Sequence, residues 1–313
     1  MKHALVLGAS GGMGYALVQE LIHREIEVTA FARSKQKLNT LYGTQKGVRI
    51  HTGDIFNLED LMAAAKQADT IFQSANLPYE QWEEKLISFF ENIINVSKTT
   101  EAKLVLVDNI YAYGRSSGGK VNEETPKNPH TKKGKIRLQA EKLIKNSNVQ
   151  ALIAHFPDFY GPNAENTLLH VTLKDAIQHK GAMFVGSKKI PREFIYTPDG
   201  AKALVHLAIQ EQTFGQNWNI PGYDVITGEE IIAIIRDING YKKSVFTVTK
   251  GMIKLLGLFD PTMREVVEMF YLNEDPVVLD GTKYNREIGP LPRTSYQEGI
   301  KQTMEYMAAH RQK

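Results

Sequence analysis

Residues 8–14 read Gly8-Ala9-Ser10-Gly11-Gly12-Met13-Gly14, a G-x-x-G-x-x-G series close to the start of the chain. An apolar run at residues 4–7 precedes the series, and a helical pattern at residues 13–23 follows it. Glycine permits a tight turn between a strand and a helix, and it lets a phosphate group approach the backbone N–H groups at the helix N-terminus. The series therefore predicts a strand, a pyrophosphate-binding loop and a helix in succession.

The first half of the chain repeats this alternation of short apolar runs and longer helical patterns. Strands are predicted at residues 4–7, 27–31, 48–51, 70–73, 103–107 and 151–155, and helices at residues 13–23, 35–42, 58–66, 81–100 and 133–145. Such alternation is typical of a parallel sheet with crossover helices. The predicted fold class is α/β, a Rossmann-type doubly wound parallel sheet with a smaller, interleaved C-terminal substrate lobe.

The composition excludes several classes of protein. The 313 residues include 38 Lys and Arg, 35 Asp and Glu, and no Cys. The lack of Cys excludes disulfides, thiolate zinc sites, iron–sulfur clusters and a cysteine nucleophile. The net charge of +3 gives no electrostatic argument for a nucleic-acid or membrane partner, and no apolar run approaches the ~18 residues of a membrane span. We therefore expect a cytoplasmic protein that acts on a small molecule.

The end of the second predicted strand indicates which dinucleotide is bound. An NAD site places an acidic residue about 20 residues after the glycines, where its carboxylate holds the ribose hydroxyls. Between Val28 and Gly53 the sequence contains no Asp or Glu, whereas Arg33 lies 19 residues after Gly14. A guanidinium at that place can pair with a 2′-phosphate. We therefore predict NADP(H) as the preferred cofactor over NAD(H), the alternative being that Arg33 is an ordinary surface residue.

Beyond residue 160 the pattern is less regular. Helices are predicted at residues 168–179, 198–210, 228–239 and 295–309, among short extended pieces and many Gly and Pro residues. We expect an NADP-binding Rossmann domain in residues 1–160. Residues 161–313 then form mainly a substrate-binding lobe, of which parts near residues 190–220 return to the sheet.

Several segments together resemble the short-chain dehydrogenase/reductase superfamily, in its extended or atypical branch, which includes the NAD-dependent epimerase/dehydratase family. The resemblance runs along almost the whole chain and is carried by the glycine series and by Gly53-Asp54-Ile55, Gln73-Ser74-Ala75-Asn76, Pro157-Asp158-Phe159-Tyr160-Gly161-Pro162, residues 194–201 and residues 218–222. It is specific for the fold and the cofactor and much less so for the reaction.

The resemblance implies which residues contact the cofactor. The glycine series would hold the pyrophosphate, Asp54 would lie near the adenine, the Ser74 loop near the adenosine ribose, and the turn after the sixth strand beside the nicotinamide. The cofactor-binding residues so expected are Gly8, Ser10, Gly11, Gly12, Met13, Gly14, Arg33, Asp54, Ile55, Ser74, Ala75, Asn76, Pro157 and Phe159. We expect no metal site, because the His residues are too scattered for metal-ligand spacing.

The catalytic positions depart from the superfamily. Its members use a Ser or Thr after strand five and a Tyr-x-x-x-Lys on the next helix, in which the Lys lowers the pKa of the Tyr. Here the Ser/Thr position holds Asn109, the Tyr position holds Lys133 and the Lys position holds Arg137. An amide can still orient a carbonyl oxygen as a hydrogen-bond donor. The usual proton relay is therefore absent from this helix.

Three hypotheses for the proton donor follow, and the sequence leaves all three open. Lys133 could act as the acid or base, if burial and the nearby Arg137 lowered its pKa. Tyr111 or Tyr113 could supply a hydroxyl, because both follow strand five and alternate residues of an extended segment share a face. In the third, Lys133 and Arg137 only bind phosphates or ribose. The candidate catalytic residues are therefore Asn109, Tyr111, Tyr113, Lys133 and Arg137.

Two functions are consistent with these residues. The first is an NADP(H)-dependent oxidoreductase or epimerase/dehydratase-like enzyme that acts on a carbonyl or hydroxyl of a small polar substrate, a nucleotide sugar being one option. Lys189 and Arg192 are the basic residues best placed for a second diphosphate in that case. The alternative is an NADP(H)-binding redox sensor without turnover. Relatives of this superfamily often dimerise through the helices that correspond to residues 81–100 and 133–145, so a homodimer is the expected assembly if one forms.

Overall fold

The structure is a computed structural model that describes residues 1–116 and 118–310. Its strands are β1 (His3–Leu7), β2 (Glu27–Ala32), β3 (Val48–Thr52), β4 (Thr70–Gln73), β5 (Lys103–Asn109), β6 (Ala151–Phe156), β7 (Asp158–Tyr160), β8 (Ala182–Val185), β9 (Arg192–Tyr196), β10 (Asn217–Asn219), β11 (Val225–Ile226) and β12 (Val245–Val248). Its helices are α1 (Gly12–His23), α2 (Lys35–Tyr42), α3 (Leu58–Ala65), α4 (Trp82–Thr100), α5 (Lys132–Lys145), α6 (Leu168–Ile177), α7 (Thr197–Ala208), α8 (Gly228–Asn239), α9 (Lys250–Leu256), α10 (Pro261–Met269), α11 (Thr282–Glu287) and α12 (Tyr296–Ala309).

Seven strands form one central sheet in the order β10-β6-β5-β4-β1-β2-β3. Every neighbouring pair is parallel. The chain runs outward from β1 through β2 and β3, then returns and runs to the other edge through β4, β5 and β6. The order therefore reverses between β1 and β4, and ligands bind beyond the carboxyl ends of the strands at such a point. The predicted α/β, Rossmann-type fold is confirmed.

Side chains of β1 show how the sheet separates two apolar cores. Ala4 and Val6 belong to a core that α1, α2 and α7 cover, whereas Leu5 and Leu7 belong to a core under α3, α4 and α5. Successive residues of a strand point to opposite faces, and a parallel sheet covered on both faces is apolar throughout. All five residues of β1 are accordingly buried, which holds the glycine loop after Leu7 on a rigid base.

The smaller lobe has its own core. Helices α6, α8 and α12 pack with a three-stranded sheet, β11-β9-β7, and a two-stranded sheet, β12-β8. Strand β10 does not belong to this lobe, because Asn217–Asn219 pairs with β6 at the edge of the central sheet. Helices α9 and α10 pack against each other, and α10 also contacts the 3-10 turn Tyr79–Gln81, which follows β4. The second lobe thus reaches the carboxyl edge of the central sheet.

The elements predicted from the sequence are found within two residues of their expected ends. The helix predicted at residues 168–179, for example, ends at Ile177. The sequence does not locate strands β7, β8, β9, β11 and β12 or the short helices α9 and α11, because they are short and carry no clear period. No helix of the described chain combines the length and the apolar character that a membrane span requires.

Candidate active site

The glycine series forms the turn between β1 and α1. Gly8 has a φ of +82°, and a Cβ there would lie 2.6 Å from the backbone of Ala75, which comes from the loop after β4. At Gly14 a Cβ would lie 2.1 Å from the carbonyl oxygen of Gly8, so the helix can begin only if this residue is glycine. Gly11 is the N-cap of α1 and offers no side-chain cap. The first-turn N–H groups of α1 therefore face outward as donors for an anion.

Two further contacts fix the shape of this loop. A Cβ on Gly12 would lie 2.7 Å from Ala164, so the segment after β7 packs directly on the first turn of α1. The side-chain amide of Asn163 donates a hydrogen bond to the carbonyl of Ser10 (3.1 Å). Met13 is buried beneath the loop. The loop is thus held in place from the second lobe.

Arg33 follows β2 directly and is exposed. Because β2 is the neighbour of β1 in a parallel sheet, this guanidinium lies at the same edge as the glycine loop. The next residue, Ser34, caps α2 by accepting a hydrogen bond from the N–H of Lys37 (3.2 Å). The cap fixes the direction in which the chain leaves β2.

The other expected cofactor residues also follow parallel strands of the sheet. After β3, Asp54 is exposed and Ile55 is buried. After β4, the Ser74 hydroxyl donates to the carbonyl of Leu7 (2.7 Å), and the Ala75 N–H donates to the Gln73 side chain (3.0 Å), which leaves Asn76 exposed at the tip of the loop. After β6, Pro157 is buried, and the half-buried Phe159 ring packs on Phe156.

Asn109 ends β5, and its side chain shapes the next turn. Its Oδ1 accepts a hydrogen bond from the N–H of Tyr111 (3.0 Å). Tyr111 begins the 3-10 turn Tyr111–Tyr113, and its hydroxyl lies 2.5 Å from that of Tyr79. Either hydroxyl can be the donor. Burial raises the pKa of the Tyr111 hydroxyl well above its usual range. The structure therefore brings Asn109 and Tyr111 together with a tyrosine that sequence reasoning missed.

Tyr113 lies in a buried polar cluster. Its hydroxyl donates to Oδ1 of Asn219 (2.8 Å), and its ring packs edge-on against His155. Only 4% of the residue is exposed, and burial raises the pKa of its hydroxyl. In this structure, then, Tyr113 packs the site from below.

Lys133 is almost fully buried, with 2% of its side chain exposed. Its Nζ forms an ion pair with Oε2 of Glu268 (3.1 Å) and another with Glu265, and both carboxylates come from α10. The same ammonium lies 5.4 Å from the centre of the Tyr79 ring. Lys133 therefore joins the central sheet to the second lobe beside the tyrosine pair.

Arg137 lies one helical turn after Lys133 and is 6% exposed. Its Nε is 2.9 Å from Oδ1 of Asp108, and its guanidinium lies over the rings of Trp82 (5.1 Å) and Phe90 (5.7 Å). A cation over an aromatic ring is stabilised by the ring's quadrupole. Arg137 is therefore fixed by an ion pair and by aromatic packing under the site.

Behind Tyr113 lies a cluster of donors that a metal ion could use: Asp108, Glu141 and His155, all buried, with ligand atoms within 4.8 Å of one another. Lys127 fills this cluster, since its Nζ bonds to the Glu141 carboxylate and lies 2.9 Å from Nε2 of His155. Burial opposes the charge of Glu141, but the hydrogen bond to His155 and the Lys127 ammonium outweigh it and hold the pKa of that carboxyl well below its usual range. The Lys127 ammonium therefore already supplies the positive charge that a metal ion would bring to this cluster.

On the other side of the site, Asp158 follows β6 and faces the second lobe. Burial raises the pKa of its carboxyl, against the opposing effect of the Arg192 guanidinium. Arg192 itself is 4% exposed, lies between Phe184 and Phe194, and donates to Asn273 and to the carbonyl of Val185 (3.1 Å). Lys189 is exposed. Of the two basic residues expected near a diphosphate, Arg192 is therefore buried and already hydrogen-bonded, whereas Lys189 is exposed.

Comparisons with known proteins agree with this geometry. The model of the NAD dependent epimerase/dehydratase family matches residues 4–220. A curated protein of Bacillus subtilis, named as the uncharacterized UDP-glucose epimerase YtcB, is 25% identical over 266 residues, which are 77% of this chain and 83% of that protein. A 2-alkyl-3-oxoalkanoate reductase of Shewanella oneidensis is 31% identical over 136 residues, which are 40% of this chain and 33% of that protein.

Solved structures show the same fold. The UDP-glucuronic acid 4-epimerase of Bacillus cereus, in complex with NAD, has a TM-score of 0.80 at 19% identity and covers 98% of this chain and 99% of its own. The dTDP-glucose 4,6-dehydratase of Bacillus anthracis, also in complex with NAD, has a TM-score of 0.81 at 18% identity, with 99% and 97% covered. At this identity the likeness shows the fold alone.

Proposed function

The chain belongs to the NAD-dependent epimerase/dehydratase family, and from this premise we propose that it is an NADP(H)-dependent oxidoreductase or epimerase/dehydratase-like enzyme. Its substrate would be a small polar molecule that reacts at a carbonyl or hydroxyl carbon. It would work without the Tyr-x-x-x-Lys pair, because residues 133 and 137 are Lys and Arg. Cytoplasmic location and a homodimer stay predictions from the sequence.

The observation that carries the choice of cofactor is the position of Arg33. It is exposed at the end of β2, beside the glycine loop. No carboxylate lies between Val28 and Gly53, so nothing on this segment would hold the ribose hydroxyls in the manner of an NAD site. A guanidinium there can bind a 2′-phosphate through two parallel hydrogen bonds.

The residues present fit a dinucleotide. The first turn of α1 would bind the pyrophosphate, since Gly11 leaves its N–H groups uncapped and Gly8 and Gly12 pack too closely for any side chain. Asp54 and Asn76 are exposed at the same edge and would contact the adenosine. When bound, the nicotinamide supplies hydride chemistry, and the protein sets its orientation and the charge around it. Pro157 and Phe159 would flank it.

A nucleotide sugar is one option for the substrate, and it is the class named for one curated relative. Such a substrate needs cations for its diphosphate. Arg192 is engaged by Asn273 and by the Val185 carbonyl, so it would have to exchange these partners for phosphate oxygens. Lys189 is exposed and carries no such restriction. The Asn109 amide would orient the reacting oxygen, and Lys133 and Arg137 stay candidates for the site.

The proposal is tested by titrating NADPH and NADH into the protein and into Arg33→Ala. We expect the substitution to weaken NADPH binding about 10-fold or more, because a charge-assisted contact is lost, and to change NADH binding little. Lys46→Ala is the matched control, since Lys46 is exposed and lies between α2 and β3, at the opposite edge of the sheet. Equal losses for both cofactors in Arg33→Ala would contradict the 2′-phosphate contact.

A screen of carbonyl compounds that follows NADPH absorbance tests the reaction itself. Consumption of NADPH with any of them supports an enzyme. Tight NADPH binding with no consumption across aldehydes, ketones and 4-keto sugar nucleotides would favour the redox sensor. The two experiments separate the cofactor from the chemistry, so either part of the proposal can fail without the other.

A further inference from the structure

Three adjacent strands each deliver one titratable side chain to the same edge of the sheet. Tyr79 follows β4, Tyr111 follows β5 and Asp158 follows β6, and these strands are neighbours in the sheet. Asn109 is paired with Phe156, so Tyr111 and Asp158 each lie two residues beyond that pair. All three side chains are half-buried. The strand order therefore brings them to the carboxyl edge of the sheet, the edge at which the glycine loop also lies.

The two tyrosines form a pair of hydroxyl groups. Their oxygens are 2.5 Å apart, and their ring centres are 6.4 Å apart at an angle of 56°. The indole of Trp82 packs edge-on against Tyr79 and at a tilt against Tyr111, and its Nε1–H donates to the carbonyl of Leu77 (2.9 Å). The pair is thus held rigidly from below and on one side.

The groups around the pair act on the pKa of its hydroxyls in both directions. Burial raises the pKa of both tyrosines, so both are protonated near neutral pH. The nearby Arg137 guanidinium opposes that shift and would stabilise a tyrosinate, as would the Lys133 ammonium over the Tyr79 ring. Asp158 is close enough to both hydroxyls to affect their pKa, and burial raises its own pKa.

The other candidates for the donor are engaged elsewhere. The Tyr113 hydroxyl donates to Asn219 in the buried cluster. The Lys133 ammonium is bound by two carboxylates of α10. Neither group, as placed, offers a free proton to a substrate.

We propose that Tyr111 is the proton donor of this site, with Tyr79 as its hydrogen-bonding partner and Asp158 as a neighbouring carboxyl that acts on both hydroxyls through its charge. The inference rests on the proposed function, because it assumes chemistry at a carbonyl carbon. Proton donation, which other members of the superfamily assign to a tyrosine on one helix, would here depend on residues that follow three neighbouring strands. Tyr79 and Asp158 act through Tyr111 and are positioning residues.

The proton balance for carbonyl reduction is simple. As the carbonyl carbon is reduced by the cofactor, the Tyr111 O–H bond breaks and a new O–H bond forms on the substrate oxygen. The tyrosinate left behind accepts a hydrogen bond from the Tyr79 hydroxyl at 2.5 Å. A proton taken up from water then restores the Tyr111 hydroxyl. The reverse sequence serves the oxidation of an alcohol.

The first test uses any carbonyl compound that the wild-type protein reduces in the NADPH screen. We expect Tyr111→Phe to lower kcat about 10²–10⁴-fold, as for the loss of an acid catalyst, with NADPH affinity unchanged. Tyr79→Phe should lower kcat less, with little change in KM. Asp158→Asn should shift the pH profile of kcat to lower pH, because the charge of Asp158 raises the pKa of both tyrosines. Tyr223→Phe, the matched control at an exposed tyrosine outside the site, should keep kcat within about 3-fold.

The second test does not need turnover and so separates the relay from the proposed function. The full chain is labelled with 3-fluorotyrosine, and the fluorine signals of the NADPH-bound protein are assigned by single Tyr→Phe variants. We expect the signals of Tyr79 and Tyr111 to titrate together, each shifting strongly when the other is replaced and neither responding to Tyr113→Phe. Independent titration, or full activity of Tyr111→Phe, would overturn the inference.

Discussion

Lys133 of α5 and Glu268 of α10 form an ion pair with 3.1 Å between Nζ and Oε2, and this pair joins the two lobes above the candidate site. Glu265 binds the same ammonium from the preceding turn of α10. The Lys133 side chain is nearly fully buried, whereas the carboxylates are 35% and 24% exposed. A buried ammonium is stable only if it is paired. Helix α10 therefore completes the site that the central sheet begins.

The first prediction concerns this contact. The double substitution Glu265→Gln and Glu268→Gln leaves the Lys133 ammonium without a counter-charge, and we expect the free energy of unfolding to fall by about 1–3 kcal/mol. Urea unfolding measures the loss, and amide hydrogen exchange over residues 261–269 should become faster. Glu274→Gln is the control, because its pair with Lys250 is exposed and should contribute at most about 1 kcal/mol. Equal losses in both variants would show that α10 does not depend on Lys133.

The second prediction concerns Lys127, which fills the cluster of Asp108, Glu141 and His155. We expect zinc to leave the melting temperature of the wild-type protein unchanged. In Lys127→Ala the carboxylates and the imidazole lose their ammonium, and zinc should raise the melting temperature, since these are its usual oxygen and nitrogen ligands.

The control for the zinc experiment is Lys127→Ala combined with Glu141→Gln, which removes one ligand of the opened cluster. It should respond to zinc less than Lys127→Ala alone. Stabilisation of the wild-type protein by zinc would mean that Lys127 can leave the cluster, and the assignment of no metal site would then be wrong.

The third prediction concerns the glycine loop. Gly12→Ala places a Cβ 2.7 Å from Ala164, on the segment that follows β7. Because backbone must move to admit it, we expect a loss of about 1–3 kcal/mol in stability and weaker NADPH binding. Thermal unfolding and an NADPH titration measure both. Gly181→Ala is the control, since a Cβ there meets no atom of the described chain within 4 Å, and its effect should stay within about 0.5 kcal/mol. A neutral Gly12→Ala would mean that the loop and Ala164 separate easily.

The sequence was sufficient to predict the sheet and the edge of the sheet at which the glycine loop lies, for a physical reason. Glycines at 8, 11 and 14, apolar runs and helical periods are local signals, and each records a backbone requirement at its own position. The fold follows from them because parallel strands with crossover helices admit few topologies. The position of Arg33 could be predicted in the same way, because it depends only on where β2 ends.

The partners of the candidate catalytic residues could not be read from the sequence. Lys133 contacts Glu265 across 132 positions, and no local pattern links the two. Tyr79 becomes the partner of Tyr111 only because β4 and β5 are adjacent, and it follows a loop that carries no period of its own. Asp158 lies in the turn that the resemblance places beside the nicotinamide, but the surroundings of its carboxyl depend on β5 and β9, which no local pattern relates to it.

The last prediction uses Glu193 of β9, which is 6% exposed and accepts a hydrogen bond from the N–H of Leu279 (3.1 Å). Burial raises the pKa of its carboxyl from 4.5 to about 7, although the N–H groups of Leu279 and Gly222 oppose the shift. A carboxyl whose pKa is raised on folding adds stability that is fully present below its unfolded pKa and is lost as the pH rises through its folded pKa. The free energy of unfolding of the wild-type protein should therefore fall, relative to that of Glu193→Gln, by about 3 kcal/mol between about pH 4 and about pH 9. Urea unfolding over this range measures the difference, and Glu84→Gln, an exposed residue of α4, should run parallel to the wild type. If the free energy of unfolding of Glu193→Gln also ran parallel to that of the wild type, the pKa of the Glu193 carboxyl would be the same in the folded and the unfolded chain. Water would then reach this carboxyl in the folded protein.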